Sequence, residues 1–282
     1  MNGIFEFLFG VPAENNRTGK PAPRPPEPKA AEPTAPASVP HRPRVQLSEI
    51  DRLLELGRIA SGYVDIKAFG KPLQGVLIRH GIYATDSHKA FIAKVETPIN
   101  DVILPFSFFK SRWLPGQIKT LGLTPDRKRL VINGQVTTFE TMPGADFPRI
   151  EQVIPTKFKH LVTMEKAKLV DAVMSLRVVG DKNAALRFDP RPGNILQIKP
   201  LKHDHPMTTQ AVRYFGDTLQ EPFGLNANYL GRVLRDITGN TVRIRMNSPV
   251  NAIMMDAGEG VVTMLIMPIR IQADAEAVRR AA

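Results

Sequence analysis

Residues 48–59 have the sequence SEIDRLLELGRI, which is the pattern of a capped amphipathic helix. Ser48 stands at the N-cap position and Asp51 follows three residues later, an arrangement that resembles a capping box. The apolar residues that follow recur at a largely helical spacing: Ile50, Leu53, Leu54, Leu56 and Ile59. We therefore predict a helix that starts after Ser48 and buries one face.

Strand-like runs and a shorter helix follow this first helix. Apolar runs between residues 75 and 104 are typical of short strands, and a second helix is predicted around Phe106–Leu114, stopped by Pro115-Gly116. Further strand-like runs lie between residues 118 and 140, where Asn133-Gly134 is a strong hairpin signal.

The second half of the chain repeats this order. Helices are predicted at Glu165–Leu176 and Ala227–Ile237, the latter closed by Gly239 at a C′ position, with strand-like runs after each. Helices begin near residues 48 and 106 in one half and near 165 and 227 in the other, so their spacing is similar. Although little residue identity links the halves, this pattern predicts an α+β protein of two tandem units.

The first 45 residues have a different composition. Residues 11–45 contain ten of the 25 prolines and cannot bury a core, so we predict a disordered, partly polyproline-II linker. Ahead of it, the apolar peptide 1–10 is either a docking peptide or a frayed end. The predicted organisation is therefore peptide 1–10, linker 11–45, units 46–155 and 156–271, and tail 272–282.

The charge of the chain points to an acidic partner. Of the formal net charge of +11, residues 1–45 carry +2 and residues 272–282 carry none, which leaves +9 on residues 46–271. Nucleic acid is the usual partner of such a surface, although a basic protein without a polyanion partner is the alternative. The absence of cysteine excludes disulfides and thiolate metal sites. No run approaches the roughly 20 apolar residues of a membrane span, and without a secretion signal we expect a cytoplasmic protein.

Four short motifs occur in order along residues 46–271. They are YATDSHKA at residues 83–90, DFPRIEQVIP at 146–155, FGLNANYL at 223–230 and IMPIRI at 266–271. Together they resemble the middle and C-terminal domains of the bacterial DNA polymerase III beta subunit, the DNA sliding-clamp family. The family's first domain has no counterpart, and the proline-rich arm stands in its place.

The resemblance implies two tandem DNA-clamp domains with helices on an inner face and antiparallel sheets outside. It also implies a non-catalytic processivity factor without cofactor or metal, which encircles double-stranded DNA and tethers a polymerase or another clamp-binding protein. A clamp loader is a further candidate partner. Because the family closes its ring from six equivalent domains, two domains per chain predict a homotrimer.

In the family, Lys and Arg on the inner helices contact phosphates without reading bases. The residues that correspond here are Arg52, Arg58, Lys110, Arg112, Lys166, Lys168, Arg177, Arg232 and Arg235. Each of them taken alone is equally well an ordinary solvated charge.

The family's partner-peptide pocket lies between its middle and last domains. By resemblance its wall would include Leu73, Thr85, Ser87, His88, Lys89, Pro148, Val153, Asn226, Tyr229, Val250, Leu265, Met267, Pro268, Ile269 and Arg270. Four substitutions indicate a retuned pocket: Ser87 replaces a glycine, Ala90 a leucine, Gln152 an arginine and Ala252 a serine. Met267 and Ile269 would alternatively be core residues of a terminal strand.

Other functions leave weaker traces in the sequence. The strongest rival is a clamp homologue that forms no ring and modulates DNA or another clamp. Asp86 and His88 could form an acid–base pair, but no further catalytic motif accompanies them. His203-Asp204-His205 could hold a metal, although a loop without a ligand is the simpler interpretation, and Trp113 could stack on a base or pack in the core.

Overall fold

The computed structural model describes residues 48–68, 71–179, 184–201, 209–256 and 260–271, which all belong to one compact unit. The predicted peptide 1–10, linker 11–45 and tail 272–282 lie outside these ranges, as does His203-Asp204-His205.

Four helices lie in the described ranges: α1 (Glu49–Ala60), α2 (Phe106–Lys110), α3 (Lys166–Val179) and α4 (Ala227–Asp236). The predicted cap of α1 is confirmed, because Ser48 Oγ accepts a hydrogen bond from the amide of Asp51 at 3.1 Å. The Ser48 hydroxyl in turn donates to the Asp51 carboxylate at 2.8 Å.

The strands of the first half are β1 (Gly75–Ile78), β2 (Ile82–Thr85), β3 (Lys89–Ala93), β4 (Val102–Pro105), β5 (Leu121–Leu123), β6 (Arg129–Ile132), β7 (Gln135–Glu140) and β8 (Met142–Pro143). Those of the second half are β9 (His160–Glu165), β10 (Ala185–Arg191), β11 (Ile195–Pro200), β12 (Gln210–Gly216), β13 (Phe223–Asn226), β14 (Thr241–Met246), β15 (Ile253–Asp256) and β16 (Val262–Ile266). Short 3-10 helices lie at Lys71–Gln74, Gly144–Asp146 and Ile150–Val153.

Thirteen strands form one continuous sheet, in the order β13-β10-β11-β12-β9-β14-β15-β16-β3-β2-β1-β4-β8, and β5-β6-β7 form a second sheet. The two halves meet where β16 pairs antiparallel with β3, from Val262↔Ala93 to Ile266↔Lys89. The α+β class with antiparallel sheets is therefore confirmed.

The helices pack on one face of the sheet, and the link between the halves covers part of the other face. On β1, Val76 and Ile78 belong to the cluster that contains the helices, whereas Leu77 points to the opposite side. There Phe147 and Ile150 of the link join an outer cluster, completed by Leu77, Ala90, Ile103, Ala252, Met254 and Leu265. The middle strands are therefore buried on both faces, which explains their uninterrupted apolar runs.

Three predicted boundaries are wrong. Helix α2 ends at Lys110 rather than near Leu114, because Ser111 is extended and the indole of Trp113 folds back to donate to the carbonyl of Phe108 at 2.9 Å. Strand pairing begins only at Leu121, not at Ile118. Gly239 has a positive φ of 85°, but α4 already ends at Asp236 with Ile237 extended, so Gly239 does not occupy the C′ position.

The most consequential omission is β9, which was not predicted. It lies between β12 and β14 in the large sheet and leads directly into α3. Strands β4 and β13 lead into α2 and α4 in the same way. Among the described residues, no helix is long and apolar enough to cross a membrane.

Candidate interaction surfaces

The predicted phosphate-contacting residues lie on or beside the four helices, and most are exposed. Two of the nine, Lys166 and Arg232, are half-buried. The exposed ones are Arg52, Arg58, Lys110, Arg112, Lys168, Arg177 and Arg235.

Lys166 and Arg232 have partners within the protein. The ammonium of Lys166 donates to the carbonyl of Ile237, just after α4 ends. The guanidinium of Arg232 forms an ion pair with Asp236 at 2.6 Å and donates to the carbonyl of Ile59 at 3.1 Å. These two cations hold elements of the protein together. Sequence periodicity alone does not distinguish such structural cations from solvated ones.

The turn between β2 and β3 and the residues next to it include Thr85, Ser87, His88 and Lys89 of the predicted pocket. Thr85 Oγ1 donates to the carbonyl of Lys89 at 2.9 Å and accepts from the amide of Ser87 at 3.1 Å. Ser87 has a φ of +72°, the left-handed conformation that favours the glycine it replaces in the resemblance. The serine therefore retains the backbone shape of the turn.

Asp86 organises this turn. Its carboxylate accepts the amides of His88 at 3.0 Å and Lys89 at 2.8 Å, and it pairs with the Lys89 ammonium at 2.5 Å. With its oxygens engaged in this way, Asp86 has a structural role that accounts for its position beside His88.

The end of β16 and the residues after it lie beside this turn and include Leu265, Met267 and Ile269 of the predicted pocket. The amide of Met267 donates to the carbonyl of His88 at 2.8 Å, which continues the pairing of Leu265 with Ala90. The amide of Ile269 donates to the carbonyl of Gly224 at 2.8 Å. A Cβ on Gly224 would lie 2.8 Å from the carbonyl oxygen of Ile269, so this approach requires glycine.

Helix α4 contributes Asn226 and Tyr229. Asn226 caps α4 by accepting the amides of Asn228 at 2.8 Å and Tyr229 at 3.3 Å. The Tyr229 ring stacks on His88 with centroids 5.6 Å apart and planes 15° apart. Burial raises the pKa of Tyr229, and the nearby carboxylates of Asp86 and Asp65 raise it further. The amide of Asp65 donates to the carbonyl of Leu73 at 2.9 Å.

Exposed apolar side chains flank this region. Val153, Val250 and Met267 are exposed by 50%, 63% and 36%, so each presents apolar surface to solvent. Leu265 is buried in the outer cluster, together with Ile150 and Ala252. The 3-10 helix Ile150–Val153 anchors Val153 through the buried Ile150, while Pro148 on the link is exposed.

Contacts in the structure thus join most of the predicted pocket residues into what we call the groove: Thr85, Ser87, His88, Lys89, Asn226, Tyr229, Leu265, Met267 and Ile269. Leu73 is instead hydrogen-bonded to Asp65 in the segment after α1. Pro148, Val153, Val250, Pro268 and Arg270 flank the groove on the link, the β14–β15 turn and the segment after β16. Resemblance missed Tyr63 and Asp65, which lie behind the groove in the segment after α1.

The other sequence-based candidates have simpler structural accounts. Trp113 packs edge-on against Phe139, and its indole N–H is hydrogen-bonded to the chain. Within the described ranges, no three His, Asp or Glu residues cluster as a metal site would require.

The chain is similar to known proteins in both sequence and fold. Residues 151–270 match the family model described as the DNA polymerase III beta subunit, C-terminal domain. The chain is 28% identical over 145 residues to the beta sliding clamp of Synechocystis sp. and 26% identical over 206 residues to that of Synechococcus elongatus. These alignments cover 50% and 67% of this chain but only 36% and 54% of the relatives.

Solved structures have the same fold. A sliding clamp from Bartonella birtlesii bound to griselimycin superposes with a TM-score of 0.67 at 17% identity, covering 80% of this chain and 65% of that one.

Proposed function

We propose that the chain, whose residues 151–270 match the family model of the DNA polymerase III beta subunit, C-terminal domain, acts as a DNA sliding clamp. In this role it surrounds duplex DNA, catalyses no reaction and tethers a polymerase or another DNA-processing protein. The observation that carries the proposal is the placement of all four helices on one face of the large sheet, each with an exposed cation on it or at its end.

Exposed cations on helices suit contact with phosphates in any sequence. Flexible Lys and Arg side chains neutralise phosphate charge without hydrogen bonds to base edges, so binding is independent of sequence and weakens with salt. We expect equal affinities for duplexes of unrelated sequence, with log K falling linearly with log salt. A strong preference for one sequence would contradict this.

A closed ring around DNA cannot dissociate from a circular duplex without opening, whereas an ordinary basic protein can. This property distinguishes a clamp from other basic proteins. A closed ring stays on nicked circular plasmid in high salt but slides off the same plasmid once it is linearised. Gel filtration of the protein with each DNA form measures this difference. Equal release from circular and linear DNA would contradict the ring.

We propose that the groove binds a short apolar segment of the partner. Exposed Val250 and Met267 offer apolar contact, and the stacked His88 and Tyr229 offer an aromatic wall. Griselimycin, which is bound in the Bartonella birtlesii clamp, is a suitable probe. Calorimetry should show binding that Met267→Asp abolishes and that Leu114→Asp, a change at another exposed apolar residue, leaves intact.

The strand order suggests how copies of this chain assemble. Strand β3, the third strand after α1, pairs with β16, the third strand after α4. The equivalent strands after α3 and α2 are β12 and β7. Within the described residues β7 pairs only with β6, and Gln210–Arg213 of β12 pair only with β11. Pairing of β12 with β7 of the next copy repeats the β3–β16 junction head to tail, and three copies close a ring.

Val136 tests this contact. It lies on β7 and is 56% exposed in the single chain. Val136→Asp should convert the assembly to monomers, since it places a charge at the new junction, whereas Leu114→Asp should not. If the wild-type chain is already monomeric, the non-ring clamp modulator is the better account.

A further inference from the structure

Arg232 bridges the helices of the two halves. It lies on α4, and its guanidinium binds Asp236 one turn further along the same helix. The same guanidinium donates to the carbonyl of Ile59 in the last turn of α1. One side chain therefore joins the end of α1 to the middle of α4.

Gly62 makes room for this bridge. A Cβ on Gly62 would lie 2.1 Å from Cζ and from one terminal nitrogen of Arg232. The guanidinium thus packs flat on the backbone that follows α1, and any side chain at position 62 would displace it. Arg232 and Gly62 form a matched pair.

Tyr63 continues the contact towards the groove. Its ring is fully buried and lies 5.5 Å from the Arg232 guanidinium. The ring is also 5.2 Å from the ammonium of Lys89, which in turn lies 5.6 Å from the Tyr229 ring. Both distances are within the range of a cation–π interaction. Burial raises the pKa of Tyr63, and the nearby Asp236 carboxylate raises it further, so the ring stays neutral.

Lys89 and Tyr229 are themselves groove residues. Lys89 is 7% exposed and its ammonium is held by Asp86, while Tyr229 stacks on His88. The carbonyl of His88 accepts the amide of Met267, which is also a groove residue. A continuous set of contacts therefore runs from the helix junction to the groove.

We infer that Arg232 is a positioning residue for the groove: seated on Gly62, it fixes the Tyr63 ring and, through Lys89, the turn between β2 and β3. That the groove binds a partner rests on the proposed function. The path of contacts from Arg232 to the groove does not depend on that function. The inference also separates Arg232 from Arg235, which is exposed on the same helix and suited to phosphate.

Amide hydrogen exchange on the full-length protein without ligand tests this. Arg232→Ala and Gly62→Ala should each raise exchange in residues 85–90 and 265–269, by about tenfold for local opening of a fold that otherwise persists. Arg235→Ala is the matched control and should leave these segments unchanged. If Arg232→Ala fails to fold, Arg232→Lys keeps the charge but loses the planar pair of donors, and it should show a smaller rise in the same segments.

A second control separates positioning from general destabilisation. Leu130→Ala removes a fully buried side chain on β6, remote from the groove, and lowers global stability. The inference is overturned if groove exchange is unchanged in both Arg232 variants and in Gly62→Ala, or if it rises no more than in Leu130→Ala. Failure of griselimycin to bind, with the exchange pattern as expected, would count against the peptide-binding function alone.

Discussion

The two helix pairs of this protein differ in length and in charge. Helices α1 and α2 carry formal charges of −1 and +1, because Glu49, Asp51 and Glu55 outnumber the arginines of α1. Helices α3 and α4 carry +2 and +1. The first pair is therefore neutral and the second pair carries +3.

This difference shows that exposed lysines and arginines on a helix do not by themselves give that helix a positive net charge. Helices account for +3 of the +9 carried by residues 46–271, so most of the basic charge lies on strands and connections. On α1 the arginines have acidic neighbours along the same helix, which lowers the local potential. We expect the second pair to dominate contact with DNA.

Reversal of three charges in each pair measures this asymmetry. Lys168→Glu with Arg177→Glu and Arg235→Glu should reduce the slope of log K against log salt by about 3, since each change removes about one phosphate contact. Arg52→Glu with Arg58→Glu and Lys110→Glu should reduce the slope by about 1 or less. Fluorescence anisotropy with a labelled duplex at several salt concentrations gives both slopes. Equal slopes for the two triple variants would contradict the expectation that the second helix pair dominates contact with DNA.

The two helix pairs also differ in how their first turns are capped, and this difference should affect stability. Asn226 accepts two amides at the start of α4, whereas Ser48 accepts one at the exposed start of α1. Asn226→Ala should cost about 1–2 kcal/mol of unfolding free energy, and Ser48→Ala about 0.5–1 kcal/mol. Urea titration followed by circular dichroism measures both. A larger loss of unfolding free energy from Ser48→Ala than from Asn226→Ala would contradict this prediction.

Tyr63, where the two pairs meet, should show the smallest loss of stability on substitution. Its hydroxyl is buried and forms no hydrogen bond of good geometry among the described residues. Because a buried hydroxyl without a partner is costly, Tyr63→Phe should leave the unfolding free energy unchanged or raise it by about 1 kcal/mol. The ring contacts with Lys89 and Arg232 persist in this variant. A loss of more than about 1 kcal/mol, on the usual scale of one lost hydrogen bond, would reveal a bond to Asp236.

Local patterns were sufficient to predict much of the fold. The cap at Ser48 and the Asn133-Gly134 turn follow from short-range chemistry, and both Asn133 and Gly134 have the positive φ that a tight hairpin needs. Strand β9 was missed because Lys157 and Lys159 precede it and Glu165 was assigned to the next helix. The alternation of buried Val162 and Met164 with more exposed neighbours was its only local sign.

The candidate site was less accessible from the sequence. The motifs placed His88, Tyr229 and Met267 together, and the structure gives the contacts that join them. Nothing local distinguishes Arg232, which bridges two helices, from Arg235, which is solvated. That distinction depends on Ile59 and Gly62, more than 160 residues away along the chain.

The mass of the protein in solution tests the ring most directly. Multi-angle light scattering of the full-length chain at micromolar concentration should give about three times the chain mass of 31.3 kDa, as head-to-tail closure requires. A mass of 31.3 kDa at every accessible concentration would contradict the ring.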